Sequence, residues 1–415
     1  MFRLWLVLLA TVSGTLAVEP LPRALWIWDA ATITDPTKRD AAFALCVRKG
    51  ITTLFITTGS VFTSAADTPR RVPVTRAQLG QFNRAADALG IAVHGLDGDP
   101  SHTLPEQHAR VTARFAQALD FNHQQTPAAR LRGFQWNIEP HGLPLWKTNA
   151  ASHPGLLHNL LSLAVSLRDM ERSAPTPLPL GFAIPFWYDD PARALAFGGV
   201  TRPPAYHFLH LLVPVPGATL ALMSYRDTVS GPNSTLSTTA AERAYAADNT
   251  PGVRLWIGQE TGPFDPPNIT FAQEGPAALD AAILDLSAAL SFEPVVAGIA
   301  IHQITYYRAM LEAQPSLGDR RVLLTIEPDG GYTLRFTRAS RDRCIIESTT
   351  DLVVGDWDVL ATYDPARLRW SPASDAAPVI AISETLAPDG LVSVSVTFAV
   401  SAIHKPALFY RVTAE

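Results

Sequence analysis

Eight times between Leu25 and Ile304 the chain repeats one pattern: a short apolar, β-rich run, a few turn residues, then an Ala- and Leu-rich stretch with helical spacing. The runs are ALWIWDA, ITTLFITTG, IAVHGLDGD, LRGFQWNIEP, LGFAIPFW, TLALMSYRD, VRLWIGQE and VAGIAIHQI. Helical stretches are expected over residues 39–49, 75–89, 104–121, 154–171, 238–247 and 271–290. Eight such units in about 290 residues match an α/β chain closed into a (β/α)8 (TIM) barrel, in count and in length. An open doubly wound sheet is the alternative, but no Gly-rich phosphate loop follows the first run. The barrel is therefore expected over residues 22–313.

Beyond Tyr307 the pattern changes. A helix expected over 309–313 leads into a linker at 314–321, and from there strand-like runs alternate with turns such as PDGG and PDG. Residues 322–415 read as a small all-β sandwich domain of about 95 residues. Its elements STTDLVVGDWDVL and ALFYRV resemble a β-domain often appended to exported bacterial proteins. That resemblance implies an accessory without catalytic residues, in contact with polysaccharide or a cell surface or purely structural.

The other end of the chain, MFRLWLVLLATVSGTLA, has a cation at Arg3, an apolar run and small residues ending at Ala17. This is the arrangement of a secretory signal peptide, too short to span a membrane, and it predicts export after cleavage near Ala17. Export permits disulfides, yet Cys46 and Cys344 lie in separate domains and are expected as two buried thiols. The formal net charge is −5, with no block of like charge, so no nucleic-acid partner is expected. Oligomeric state is left open.

In a barrel of this kind chemistry sits at the C-terminal ends of the strands. The run GFQWNIEP, 133–140, carries the main signal. Side chains alternate along a strand, so Gln135, Asn137 and Glu139 share one face, while Phe134, Trp136 and Ile138 share the other. The apolar set suits the helix layer, which leaves two amides and a carboxylate inside the barrel. Burying them is costly without partners, and barrel interiors are ordinarily filled with branched aliphatics. Pro140 marks the end of the strand. A second carboxylate, Glu260, ends the seventh run, and two carboxyls flanking a bond are what glycoside hydrolysis requires. Other candidates at strand ends are Trp28 and Asp29, Asp97, Trp187, Tyr225 and Arg226, and His302. Trp28 and Trp187 are flat platforms for sugar faces; Asp29, Asp97, Arg226 and His302 are candidates to bind hydroxyls.

Acid/base on strand four and nucleophile on strand seven is the arrangement of a large clan of retaining barrel glycosidases, which Glu139 and Glu260 resemble. That clan usually has Asn immediately before its strand-four Glu, where this chain has Ile138. Gly133, Gln135, Asn137 and Glu139 also resemble the strand-four motif of chitinase-type barrels, with both aspartates replaced by amides. Met223, Ser224 and Tyr225 match the strand-six motif of the same family. Some endo-β-N-acetylglucosaminidases are similar in placing Asn two residues before the acid Glu. That resemblance implies substrate-assisted cleavage with Asn137 and Glu139, and a binding role for Glu260. More broadly, IEPHGLPLWK, IPFWYDD, LMSYRD, IGQETG and GIAIHQITYY resemble a group of exported bacterial barrel proteins.

Both glycosidase resemblances imply Glu139 as proton donor, with its pKa raised by a dry site, and Tyr225 beside it. The function expected is glycoside hydrolysis of a carbohydrate without cofactor or metal. The rivals are a barrel that binds polysaccharide without cleaving it and a metal-dependent hydrolase. The latter would place a His-any-His pair on the first run, and ALWIWDA has no histidine. A Gly-any-Ser-any-Gly nucleophile elbow is absent as well.

Overall fold

A computed structural model describes residues 20–63 and 71–312, and the strands of the region beyond. The signal-like segment at 1–17 and the linker at 314–321 lie outside the described residues.

Eight parallel strands close into a barrel: β1 (Arg23–Ile27), β2 (Ile51–Thr57), β3 (Ala92–Asp97), β4 (Gly133–Trp136), β5 (Leu180–Pro185), β6 (Thr219–Met223), β7 (Arg254–Glu260) and β8 (Val296–His302). Neighbours in sequence are neighbours around the barrel, and β8 pairs with β1. A helix follows every strand: α1 (Pro36–Lys49), α2 (Arg76–Asp87), α3 (Pro105–Gln124), α4 (His153–Arg172), α5 (Pro204–Leu212), α6 (Ala240–Asn249), α7 (Gly275–Leu290) and α8 (Ile304–Glu312).

Local chemistry sets the helix ends. Asp35 accepts from the Thr37 and Lys38 amides and Pro36 opens the first turn, so α1 begins three residues ahead of the expected 39. Thr75 and Gln78 form a reciprocal capping box that starts α2. The helix expected over 309–313 begins earlier, at Ile304, directly after β8.

Two apolar layers hold the barrel. Between strands and helices, Phe134, Trp136 and Ile138 pack with residues such as Phe115, Leu160 and Leu220. Inside the barrel, Trp26, Phe55, Leu96 and Trp256 are fitted among Ala24, Ala183, Ala221, Ala297 and Ala300. Alanine at these positions leaves room for two indoles where branched aliphatics would ordinarily fill the layer. Trp26 and Phe55 lie 5.3 Å apart between ring centroids, and Phe55 and Trp256 5.8 Å.

In the C-terminal region the order is β9 (Leu323–Ile326), β10 (Tyr332–Ala339), β11 (Cys344–Thr349), β12 (Asp358–Asp364), β13 (Arg369–Pro372), β14 (Val379–Leu386), β15 (Leu391–Phe398) and β16 (Phe409–Ala414). They form two antiparallel four-stranded sheets, β9-β10-β15-β14 and β13-β12-β11-β16. Val392, Val394 and Val396 are buried at every second position of β15, the alternation of a strand with one covered face. Cys46 is a buried free thiol on α1, pushed up to about 12 by burial; Cys344 begins β11.

Candidate active site

The β4 run divides as its alternation requires. Phe134, Trp136 and Ile138 enter the outer layer, and Gln135 is fully buried inside, where its Oε1 accepts from the Trp26 indole N–H at 2.6 Å. The strand ladder stops at Trp136, and the Asn137 amide adds one more bond, to the Asp97 carbonyl at 2.9 Å. Gly98 makes this approach possible, since a Cβ there would sit 1.9 Å from the Asn137 carbonyl oxygen. The turn Pro140–Gly142 then folds the chain back.

Glu139 is clamped where the strand gives way to that turn. Asn137 Nδ2 donates to Glu139 Oε1 at 2.8 Å, and His141 Nε2 lies 2.9 Å from Oε2. The carboxylate keeps 30% of its side-chain surface exposed. It opens onto a cavity of about 170 Å³ lined by Trp26, Trp28, Asn137, Ala183, Met223, Tyr225 and His302 as well. Burial pushes its pKa up, but the His141 hydrogen bond and charge and the Asn137 hydrogen bond more than offset this, and the net shift is downward. The raised pKa expected of Glu139 is thus corrected: the site holds it as a carboxylate.

Glu260 ends β7 in register with His302 at the end of β8. Its side chain is 3% exposed and does not line the cavity. Oε1 accepts from the Thr261 and Gly262 amides at 2.8 and 2.7 Å, and Oε2 lies 2.7 Å from His302 Nδ1. His302 Nε2 in turn lies 3.0 Å from Trp28 Nε1, an indole that can only donate. That contact makes Nε2 an acceptor and puts the imidazole proton on Nδ1, facing Glu260. Glu260, His302 and Trp28 form a chain from a buried carboxylate to the cavity wall. Tyr225 completes that wall. Burial, then Glu260, then Glu139 push its hydroxyl well above the ordinary tyrosine range, so it is a neutral donor.

The remaining candidates lie around the cavity without lining it. Asp97 is buried and bonded to Arg71 at 3.0 Å and Arg114 at 3.2 Å. Asp29 caps the Ala31 amide and pairs with Lys38. Arg226 lies 4.6 Å over the Phe186 ring and donates to Asn233 and the Tyr225 carbonyl. Trp187 is half-buried beside His141 and Trp146, with Arg193 4.4 Å above its ring. His141, the partner of Glu139, was not among the expected site residues; its place at alternate spacing after Asn137 and Glu139 is the signal that marks it. Trp26, Ala183 and Met223 were also missed as lining residues, because a strand's apolar inner positions read as core. Among the described residues no group of three or more His, Cys, Asp or Glu is placed to hold a metal ion.

The fold and site define an eight-stranded β/α barrel with a carboxylate-bearing cavity at the C-terminal mouth. Among solved structures it is similar to a chitinase from Bacteroides thetaiotaomicron (11% identity, covering 69% of this chain and 90% of that one, TM-score 0.40). It is also similar to a β-glucosidase from Thermotoga maritima in complex with castanospermine (10%, 68% and 88%, 0.41). A third likeness is to β-glucuronidase 2 of Bacteroides uniformis (10%, 91% and 45%, 0.45). No protein-family model matches the chain, and no curated protein matches it.

Proposed function

We propose that the barrel cleaves a glycosidic bond, with Glu139 as general acid/base. The observation that carries this reading is the position of Glu139: 30% exposed in a cavity lined by two indoles, each carboxylate oxygen held by its own partner. His141 holds Oε2 from outside the cavity lining. Protonation of the Glu139 carboxyl arms it for donation to a leaving oxygen. Because the site lowers the Glu139 pKa and the acid form is the one that donates, activity belongs on the acid side of neutrality. Glu260 acts in this reading as the second carboxylate, through His302, since its own oxygens are committed to two backbone amides and the imidazole. Asn137, two residues before Glu139 and hydrogen-bonded to it, also suits a substrate-assisted course.

The same residues support a second reading, a barrel that binds polysaccharide without cleaving it. The observation favouring it is that Glu139 is ionised and Glu260 withdrawn. Release of reducing sugar or chromogenic aglycone from a panel of glycosides distinguishes the two. Glu139→Gln is expected to lower kcat by about 10²–10⁴-fold and Glu260→Gln by less, with KM changed through Trp28. Activity that survives Glu139→Gln unchanged removes the hydrolase reading. We further read residues 1–17 as an export signal and the C-terminal β-region as the part that meets polysaccharide or a cell surface.

A further inference from the structure

The cavity is rich in acceptors and poor in donors. Both Glu139 oxygens accept, and Asn137 Oδ1 is a buried acceptor with no partner. The side-chain donors on the wall are already used. Asn137 Nδ2 is spent on Glu139, Trp26 Nε1 on Gln135, Trp28 Nε1 on His302, and His302 Nδ1 on Glu260. Only the Tyr225 hydroxyl is left among the lining side chains. No Lys or Arg lines the cavity. Arg193 and Arg226, on nearby strand-end loops, are stacked on Trp187 and Phe186 instead.

Resting on the carbohydrate reading above, we propose that the ring bound here is an amino sugar with a free, protonated amine, paired with the exposed part of the Glu139 carboxylate. An ammonium brings three donors and no acceptor, which is what this wall lacks and matches. A uronate would set a second carboxylate beside Glu139, with no Lys or Arg on the wall to pair it. An N-acetylated ring can find its one donor in Tyr225 but carries no charge to meet the Glu139 carboxylate. A neutral hydroxyl fits the hydrogen bonds but gains nothing from the charge. Trp26 and Trp28 line the cavity, and indole rings attract cations. The downward shift of Glu139 agrees with a carboxylate kept ionised as counter-ion.

The test is calorimetric titration of the full chain with glucosamine, N-acetylglucosamine and cello-oligosaccharides of equal length, at a pH where the amine is protonated. The amino oligomer is expected to bind about tenfold or more tightly than either neutral one, with the advantage shrinking as salt rises. Repeating the wild-type titration at a pH where the amine is neutral is expected to erase the preference, without reliance on any variant. Glu139→Gln is expected to erase it too, and Tyr225→Phe to retain it. Equal or tighter binding of a neutral oligomer, a preference that persists at high pH or in Glu139→Gln, or no binding of any of the three overturns the proposal. Because binding is read apart from cleavage, the two readings fail separately. An amine preference without hydrolysis removes only the enzyme, and hydrolysis with a neutral preference removes only the amine.

Discussion

A buried carboxyl with no partner is the most exposed liability in the barrel at the scale of single residues. Glu242, on the first turn of α6, is fully buried, and neither of its oxygens has a hydrogen-bond partner. Burial, with Asp189 nearby adding to it, raises its pKa to about 9. The carboxyl is therefore neutral in the folded chain at pH 7 and ionised in the unfolded one, so unfolding releases a proton. Its contribution to stability is complete below the unfolded pKa of 4.5 and declines as pH rises toward 9. At pH 7 this cost is roughly 3 kcal/mol. Glu242→Gln, neutral in both states, is expected to melt higher than wild type at pH 8 and close to it at pH 4.5. Thermal denaturation of both proteins across that interval checks the sign; parallel curves would show that Glu242 is ionised in the fold. Glu139 shows the opposite outcome of burial, because Asn137 and His141 supply what Glu242 lacks.

At the scale of elements, the end of β4 depends on the glycine beside it. Gly98 lets the Asn137 backbone lie against the turn after β3, where Asp97 is held by Arg71 and Arg114. Gly98→Ala would force a Cβ into the Asn137 carbonyl and displace the residue that orients Glu139. It is expected to lower kcat about 10²-fold, the scale of a 1 Å misplacement, while the far-ultraviolet circular dichroism stays native. Unchanged kinetics would mean that the approach relaxes freely. The alternation that put Gln135, Asn137 and Glu139 on the inner face was legible in the sequence because it has a period of two and needs no distant partner. The Glu260 to His302 pairing was not, since it arises from the register between β7 and β8 across 42 residues. Asp97 and Asp29 read as hydroxyl binders for the same reason: their cations come from elsewhere in the chain.

For the whole molecule, the eightfold repetition carried the barrel, since only closure gives eight parallel strands covered by helices a common interior. The indole-and-alanine interior was less legible, because Trp26 and Trp256 read from sequence as ordinary core or rim aromatics. Among the described residues, both apolar clusters of the barrel are built from residues no later than Leu311. The barrel thus has a complete core of its own, which is the physical condition for folding alone. A fragment ending at residue 313 is expected to unfold in one cooperative transition and to keep the activity of the full chain on soluble glycosides. If the C-terminal sheets serve contact with polysaccharide, the fragment should lose retention on insoluble polymer while its kcat stays the same. Sedimentation with the polymer, run beside the soluble assay, separates the two contributions. A fragment that precipitates or melts without cooperativity would show that the barrel borrows stability from the β-region, and equal retention would place polymer contact on the barrel.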